Sequence, residues 1–338
     1  MLKLKQALSV IDGFVAALLA VGVAASLIPC RGNGAIFFEF VTDAGIVLLF
    51  FLHGAKLSRA AIVDGMLNWR LHFASLAVTF ALFPILGLLL IRIPGLDPAL
   101  VAGSLYLTLL PSTVQSSIAF TSIARGNVPA AVCAATLSNL LGMFLTPVLV
   151  AMLMQIPGGQ VRVSLDSVKN IALQLLLPFA VGHCSRPWIT AWIARHKSLV
   201  GRMDRGTILL VVYTAFSAAV VDGLWSRLSV VSLIVMAILS CGLLSLVLVV
   251  CWSLGPRLGL NREDSIVLLF CGSKKSLASG VPIAGTLFPA AQVGLIILPL
   301  MIFHQIQLVA CAVIARRLAN GSKTCPLAQM ESFEHSSQ

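Results

Sequence analysis

Long apolar runs separated by short polar links are the feature that most constrains how this chain can fold. A helix needs about 20 mostly apolar residues to cross the roughly 30 Å of hydrocarbon in a bilayer. Because 59% of the residues are hydrophobic and only 10% are charged, a soluble fold does not fit this chain. We therefore predict an all-α membrane protein with about ten transmembrane helices. The predicted spans are Ala7–Ile28, Ala35–Gly54, Leu71–Ile91, Ala99–Ile123, Val128–Met154, Val168–His183, Thr207–Leu224, Val230–Leu254, Ser265–Phe288 and Gln292–Ile314.

The basic residues predict how these spans are oriented. The formal charge of +11 does not indicate nucleic-acid binding, since the basic side chains lie in the short links and not along one face. Most of the 23 Lys and Arg residues fall on the side of the N-terminus, and cytoplasmic links are rich in such residues. We predict a multi-pass protein of the cell (inner) membrane with cytoplasmic termini. The links on the opposite side hold only Arg31, Arg92, Arg162, Lys169 and Arg227.

The ten spans divide into two halves of five, residues 1–160 and 161–320. An odd number of spans in each half makes the second half enter the membrane from the opposite side, as inverted repeats of transporters do. No link is long enough to hold a folded domain, and residues 321–338 are expected to form a disordered cytoplasmic tail. The eight cysteines show no spacing typical of a zinc site. No segment indicates a metal, a cofactor or a partner protein.

Two spans carry interruptions in corresponding positions. The fourth holds Pro111 followed by polar residues up to Ser117, and the ninth holds a polar stretch from Gly272 to Pro282. Proline and glycine inside a membrane helix free backbone groups, which a neighbouring helix, a hydroxyl, water or a ligand must satisfy. A simple kink with hydroxyls bonding back to the helix explains one interruption, but two in matching positions favour a binding site. We predict that the interruptions lie against each other, with the substrate-binding candidates Ser112, Thr113, Ser273, Lys274, Lys275, Ser276 and, in span ten, His304.

The adjacent lysines of span nine are costly to place inside a membrane. Insertion scales give at least about 2.5–3.5 kcal/mol for a lysine at bilayer depth, so Lys274 and Lys275 need a reason to be there. Neighbouring residues on a helix point about 100° apart, and we therefore expect the two to differ in role. The alternative is that one of them extends to the membrane surface or pairs with a carboxylate, for which Asp43 in span two is a candidate.

A set of short segments carries a resemblance to a known family. The stretch from Pro111 to Pro147 contains Ser116-Ser117, Ala124–Val128 and Ser138-Asn139; further segments are Phe51–Gly54 with Leu57-Ser58, Cys271–Ser276, and Leu298-Pro299 followed by His304 and Gln307. In this order and spacing they resemble the bile acid:sodium symporter superfamily. They are most similar to its ten-helix branch, that of sodium/bile acid cotransporter 7 and its bacterial SBF-like relatives. The resemblance covers nearly the whole chain.

This resemblance implies a fold and a place for the ions. It implies a panel domain and a core domain, with broken helices 4 and 9 crossing in the core, substrate near the crossing and sodium beside it. Sodium prefers oxygen ligands, so the ion-binding candidates are Gln115, Ser116, Ser117, Ser138, Asn139 and Asp43. The chain departs from the sodium-driven members, which place a Glu and a Gln in span nine where this sequence has Ser273–Ser276. A fixed ammonium there repels sodium, and proton exchange with Asp43 or water is the alternative.

The function predicted from these features is secondary active transport of a small, anionic organic solute by alternating access, coupled to sodium or protons. Helix N-termini and the lysines at the crossing favour an anion. A regulatory membrane protein with a transporter fold that moves nothing is the alternative. A membrane enzyme would need paired carboxylates, H-E-x-x-H or G-x-S-x-G within the spans, and the sequence has none. Arsenite is disfavoured because Ala99–Ile123 lacks the cysteine expected in arsenite exporters.

Overall fold

The computed structural model describes residues 13–56, 68–93, 98–154, 165–227 and 229–321, and within these ranges it contains helices and no strands. Helices, not strands, are expected here because a membrane helix satisfies its own backbone hydrogen bonds. The helices in chain order are α1 (Gly13–Leu27), α2 (Asn33–Lys56), α3 (Trp69–Leu90), α4 (Pro98–Thr108), α5 (Gln115–Ile123), α6 (Val128–Leu153), α7 (Leu165–Cys184), α8 (Arg186–Arg195), α9 (Lys197–Val221), α10 (Leu224–Arg227), α11 (Val230–Arg257), α12 (Arg262–Gly272), α13 (Leu277–Leu287) and α14 (Ala290–Gly321).

Among the described residues, seven helical segments are long and apolar enough to cross a membrane. They are α2, α3, α6, α9, α11, α14 and the segment formed by α12 and α13 together. The remaining predicted spans correspond to shorter pieces: Ala16–Leu27 in α1, Leu175–Cys184 in α7, and the separate helices α4 and α5. The described part of the chain is therefore all-helical, and its apolar helices are those of a multi-pass membrane protein. The count of ten spans stays a prediction, and the start of the first span and the predicted tail after Gly321 lie outside the described residues.

Four helices, α1, α2, α7 and α9, pack together and form what we call the flanking group. Its tightest contact is between α2 and α7, where one glycine of each helix faces the backbone of the other helix. A Cβ on Gly54 would lie 2.0 Å from the Phe179 carbonyl oxygen, and one on Gly182 would lie 2.0 Å from that of Phe51. Since any larger residue would clash with backbone at both places, the glycines fix how closely these helices approach.

The central group consists of α3 to α6 and α11 to α14. Almost every residue of α12 and α13 is buried by its neighbours, so this segment forms the middle of the molecule. Its start is held by Asp264, whose carboxylate accepts hydrogen bonds from the side-chain amides of Asn68 at 2.7 Å and Asn127 at 2.9 Å. Asn127 is also the N-cap of α6. These bonds tie the first turns of three helices together and thereby set the position of α12.

Candidate functional site

The first helix interruption lies between α4 and α5. Pro111 has no N–H, and the Ser112 N–H donates to the Ser138 hydroxyl at 3.1 Å instead of to α4, so the helix cannot continue here. The last carbonyls of α4 then need donors from other elements. Thr146 of α6 supplies one, because its hydroxyl donates to the Leu109 carbonyl at 2.9 Å.

The second interruption lies between α12 and α13. Ser276 is the N-cap of α13, and its hydroxyl accepts a hydrogen bond from the Ser279 N–H at 3.1 Å. The preceding peptide is held by Gln307 of α14. The Gln307 side chain accepts from the Lys275 N–H and donates to the Lys275 carbonyl, both at 2.9 Å. One side chain thus satisfies both backbone groups of Lys275.

The two interruptions are in direct contact. The Ser276 N–H donates to the Pro111 carbonyl at 2.8 Å. The Ser117 hydroxyl of α5 donates to the Phe270 carbonyl at 3.0 Å, near the end of α12. Each break therefore satisfies backbone groups of the other, and the contact predicted between Pro111–Ser117 and Gly272–Gly280 is present.

Lys275 has a fully buried side chain that ends among backbone carbonyls. Its Nζ donates to the carbonyl oxygens of Thr79 at 2.8 Å, Thr108 at 2.8 Å and Leu110 at 2.7 Å. It also lies 4.1 Å from the centre of the Phe83 ring. An ammonium has three N–H donors, so every one of them has an acceptor.

Lys274 is equally buried but has much weaker polar contacts. Its Nζ lies 4.0 Å from the centre of the Phe120 ring and 5.4 Å from that of Phe270. Its hydrogen-bond contact is a long one, 3.5 Å to the Ser116 hydroxyl. Within the described residues neither lysine forms an ion pair, and neither extends to the surface. The alternatives of a carboxylate partner and of a lysine at the membrane surface are therefore not met in this structure.

A cavity of about 690 Å³ lies between the flanking and central groups and reaches both interruptions. This volume is typical of sites for small organic ligands. The flanking wall is mostly apolar and includes Phe14, Leu49, Phe179 and Ile208. The central wall is more polar, and six predicted site residues lie on it: Thr113, Gln115, Ser116, Asn139, Ser276 and His304.

The other predicted residues of the central group lie behind this wall. Their side chains contact neighbouring backbone or side chains, and each is fully buried: Ser112, Ser117, Ser138, Ser273, Lys274 and Lys275. Lys274 is the one that reaches towards the cavity, since its ammonium contacts both Ser116 and Phe120, which line it. The structure thus separates the predicted set into a lining layer and a supporting layer.

Asp43 lies apart from all of these residues. It lines a second, smaller cavity of about 270 Å³ together with Glu39, Thr286 and Phe288. That cavity is near the start of α2, whereas the large cavity includes Lys56 at the end of the same helix. Asp43 is therefore not brought together with the other ion-binding candidates, which the sequence alone could not reveal.

Sequence reasoning missed the charged residues at the large cavity. Lys56 of α2 and Asp204 of α9 form an ion pair with an N–O distance of 2.5 Å. Arg205 stacks over the Phe14 ring at 5.7 Å from its centre, and Arg316 of α14 completes this charged end. These residues lie in or beside links, where basic residues were interpreted as topology signals only. Gln307 was part of the family resemblance, but nothing in the sequence indicated that it holds the second break.

Comparison of the sequence with known proteins identifies a family. The sequence model of the SBF-like CPA transporter family matches residues 12–320. The chain is 54% identical to the uncharacterized protein PA2026 of Pseudomonas aeruginosa over 310 residues, which cover 91% of this chain and 93% of the relative.

Two further relatives carry names that refer to transport. YfeH of Escherichia coli K12, which is named as a symporter, is 53% identical over 310 residues, covering 91% of this chain and 93% of that protein. Sodium/bile acid cotransporter 7 of Rattus norvegicus is 27% identical over 283 residues, covering 81% of this chain and 82% of the relative.

Proposed function

The chain belongs to the SBF-like CPA transporter family, and from this premise we propose that it is a secondary active transporter that moves a small organic anion by alternating access. Transport, and not an enzymatic reaction, is what this family is named for. The observation that carries the proposal is the cavity of about 690 Å³ that ends at the two helix interruptions. Interrupted helices beside an internal cavity are typical of the substrate sites of secondary transporters.

An anionic substrate is supported by the charges around the cavity. The half-helices α5 and α13 begin at its wall with Gln115 and Leu277, and helix N-termini attract anions. The Lys274 ammonium lies one residue layer behind that wall, and Arg205 and Arg316 lie in the charged end of the cavity. Because the opposite wall is apolar, the expected solute combines an anionic group with an apolar part.

Alternating access is supported by the two cavities. They are lined by different parts of α2, Glu39 and Asp43 in the small cavity and Leu49 and Lys56 in the large one. The nearest of these residues, Asp43 and Leu49, are about 9 Å apart along the helix. We propose that movement of the flanking group against the central group opens each cavity in turn. We also propose ten spans, with residues 1–160 and 161–320 as inverted repeats, and that the large cavity opens on the cytoplasmic side.

The proposal for the coupling ion depends on the ion-binding candidates that lie near the two interruptions. Gln115, Ser116 and Asn139 offer oxygen ligands at the cavity, and Ser117 and Ser138 lie behind them. The buried ammonium groups of Lys274 and Lys275 act against a sodium ion in the same region. We therefore expect transport to depend weakly on sodium, with protons as the alternative coupling ion.

The test is a substrate screen followed by a flux measurement. Purified protein is screened by thermal shift against organic anions with and without sodium, and the anion with the largest shift is followed into proteoliposomes. Thr113→Val alters the large cavity, and Thr286→Val makes the same change in the small one. Saturable flux that Thr113→Val reduces more than Thr286→Val supports the proposal. Binding without flux would favour the regulatory alternative. The absence of both binding and flux would contradict the transport proposal and the regulatory alternative.

The proposed orientation has a separate test. Reporter fusions at Gly159 and Arg227 are expected to report the outer side of the membrane, and one at His196 the cytoplasmic side. The reversed pattern would show that the large cavity opens outwards. The ten-span arrangement would then need revision, while the transport proposal would be judged on flux alone.

A further inference from the structure

The carbonyl oxygens around the Lys275 ammonium are free for reasons that do not involve Lys275. In α3 the turn Val78–Leu82 is π-helical, and the Phe83 N–H donates to the Val78 carbonyl. The next residue is Pro84, which has no N–H to offer. The Thr79 carbonyl is therefore left without a donor along its own helix.

The two carbonyls from α4 are free because of the first interruption. The Ser112 N–H, which would otherwise reach the Thr108 carbonyl, donates to Ser138. The Leu110 carbonyl precedes Pro111 and lies beyond the end of the helix. The C-terminal end of a helix also carries a partial negative charge. Two helices thus present three carbonyl oxygens to one point, and we call Thr79, Thr108 and Leu110 the carbonyl cage.

Lys275 enters this cage from a third element. Its Nζ meets the three oxygens at 2.7–2.8 Å, with the face of Phe83 on a further side. The described residues supply no carboxylate to the ammonium. Backbone carbonyl oxygens that replace the hydration shell of a monovalent cation are one way in which membrane proteins bind such ions.

We propose that the carbonyl cage is a monovalent-cation site which the protein fills with its own Lys275 ammonium, and that removing this side chain opens the cage to small ammonium ions and alkali cations. The lysine is a positioning residue: it holds the end of α4, the π-helical turn of α3 and the second interruption at fixed separation. This inference concerns the cage alone and does not depend on what the protein transports.

The experiment replaces the tethered cation with a free one. Lys275→Ala removes three methylene groups and the ammonium, which together correspond to propylammonium. Thermal unfolding of the purified variant is measured against propylammonium, ammonium, potassium and sodium chlorides, with 1-propanol as the uncharged match. Lys274→Ala is the control variant, because it removes the same atoms from the adjacent buried position.

We expect a saturable rise in the Tm of Lys275→Ala of about 5 °C or more with propylammonium or one of the inorganic cations. The wild type and Lys274→Ala should show no comparable rise. Equal stabilisation by 1-propanol would mean that the site only needs filling, and no cation-specific rise would mean that the cage has no affinity for cations; either result overturns the proposal.

A second measurement covers the case in which Lys275→Ala does not survive purification. The variant is then extracted and purified with propylammonium or with 1-propanol throughout, and monodisperse protein is quantified by size-exclusion chromatography. Higher recovery with propylammonium supports the cage. Equal recovery in the two solutions, including none in either, contradicts it.

Discussion

Lys274 and Lys275 are adjacent and equally buried, yet their ammonium groups have opposite surroundings. That of Lys275 donates to three carbonyl oxygens at 2.7–2.8 Å. That of Lys274 lies against two aromatic rings and reaches one hydroxyl, of Ser116, at 3.5 Å. The break between α12 and α13 separates them, because Lys274 and Lys275 lie in the non-helical link between the two helices.

Burial alone therefore does not reveal what a charged residue does in a membrane protein. A buried charge whose hydrogen bonds are all made strengthens the structure around it. A buried charge with incomplete hydrogen bonding remains available to a ligand and has a cost of burial that the fold does not recover. On these contacts Lys275 has a structural role, and we propose that Lys274 is the lysine that acts on the substrate.

The largest expected effect comes from replacing each lysine with methionine, which keeps an unbranched apolar side chain only one heavy atom shorter and removes the ammonium. Lys275→Met should lower the stability by about 3 kcal/mol or more, since three buried carbonyls lose their donor at about 1–3 kcal/mol each. Lys274→Met should leave stability unchanged or raise it, because a poorly satisfied charge is removed. Thermal unfolding in one detergent measures both. Equal losses of stability in the two variants would show that the different surroundings of Lys274 and Lys275 have no energetic consequence.

The second prediction tests whether the Gln307 side chain is needed to hold the second break, where the two lysines lie. Gln307→Leu leaves the Lys275 N–H and carbonyl without their 2.9 Å partner, and should cost about 2 kcal/mol of stability. Gln305→Leu is the matched control, two residues away on the same helix and partly exposed. Thermal unfolding of both variants gives the answer. Similar Tm values would show that the second break holds its shape without the Gln307 bonds.

Much of this arrangement could be predicted from residue types. Pro111 and the polar stretch after Gly272 predicted the two interruptions, and the rule that freed backbone groups need donors predicted that they would meet. The apolar runs predicted a helical membrane protein, although α4 and α5 are too short to count as spans by length. The family resemblance was needed to relate these pieces to a transporter.

What could not be predicted depends on distances between helices. That Lys275 reaches Thr79 requires the π-helical turn of α3, and nothing in the sequence around Pro84 distinguishes a π-helical turn from a kink. Asp43 was grouped with the ion-binding candidates because it is a carboxylate within a span. That Asp43 lines the small cavity and not the large one depends on how α2 packs, which residue types do not encode.

The third prediction concerns binding. Lys274→Met should weaken the affinity for the anion found in the screen about tenfold, or about 1.4 kcal/mol, because a positive charge close to the cavity wall is lost. Lys274→Arg keeps the charge and should lose less. Isothermal titration of wild type and both variants measures the change. Unaltered affinity in Lys274→Met would remove Lys274 from the substrate site and leave Arg205 and Arg316, in the charged end of the cavity, as the source of anion selectivity.

The smallest effect is expected at the contact between Lys274 and the cavity. Ser116 is the polar side chain between the ammonium and the cavity space, and it also donates to the Thr113 hydroxyl at 2.8 Å. Ser116→Ala removes one hydroxyl of a wall that other groups complete, so affinity for the same anion should fall about two- to fivefold. Ser122→Ala makes the same change on an exposed face of α5 and should have no effect.

A double variant tests whether Ser116 and Lys274 act together. If Lys274 affects the substrate through its contact with the Ser116 hydroxyl, the combination of Ser116→Ala with Lys274→Met should bind the anion no more weakly than Lys274→Met alone. Fully additive losses would mean that the serine and the lysine act on the substrate separately.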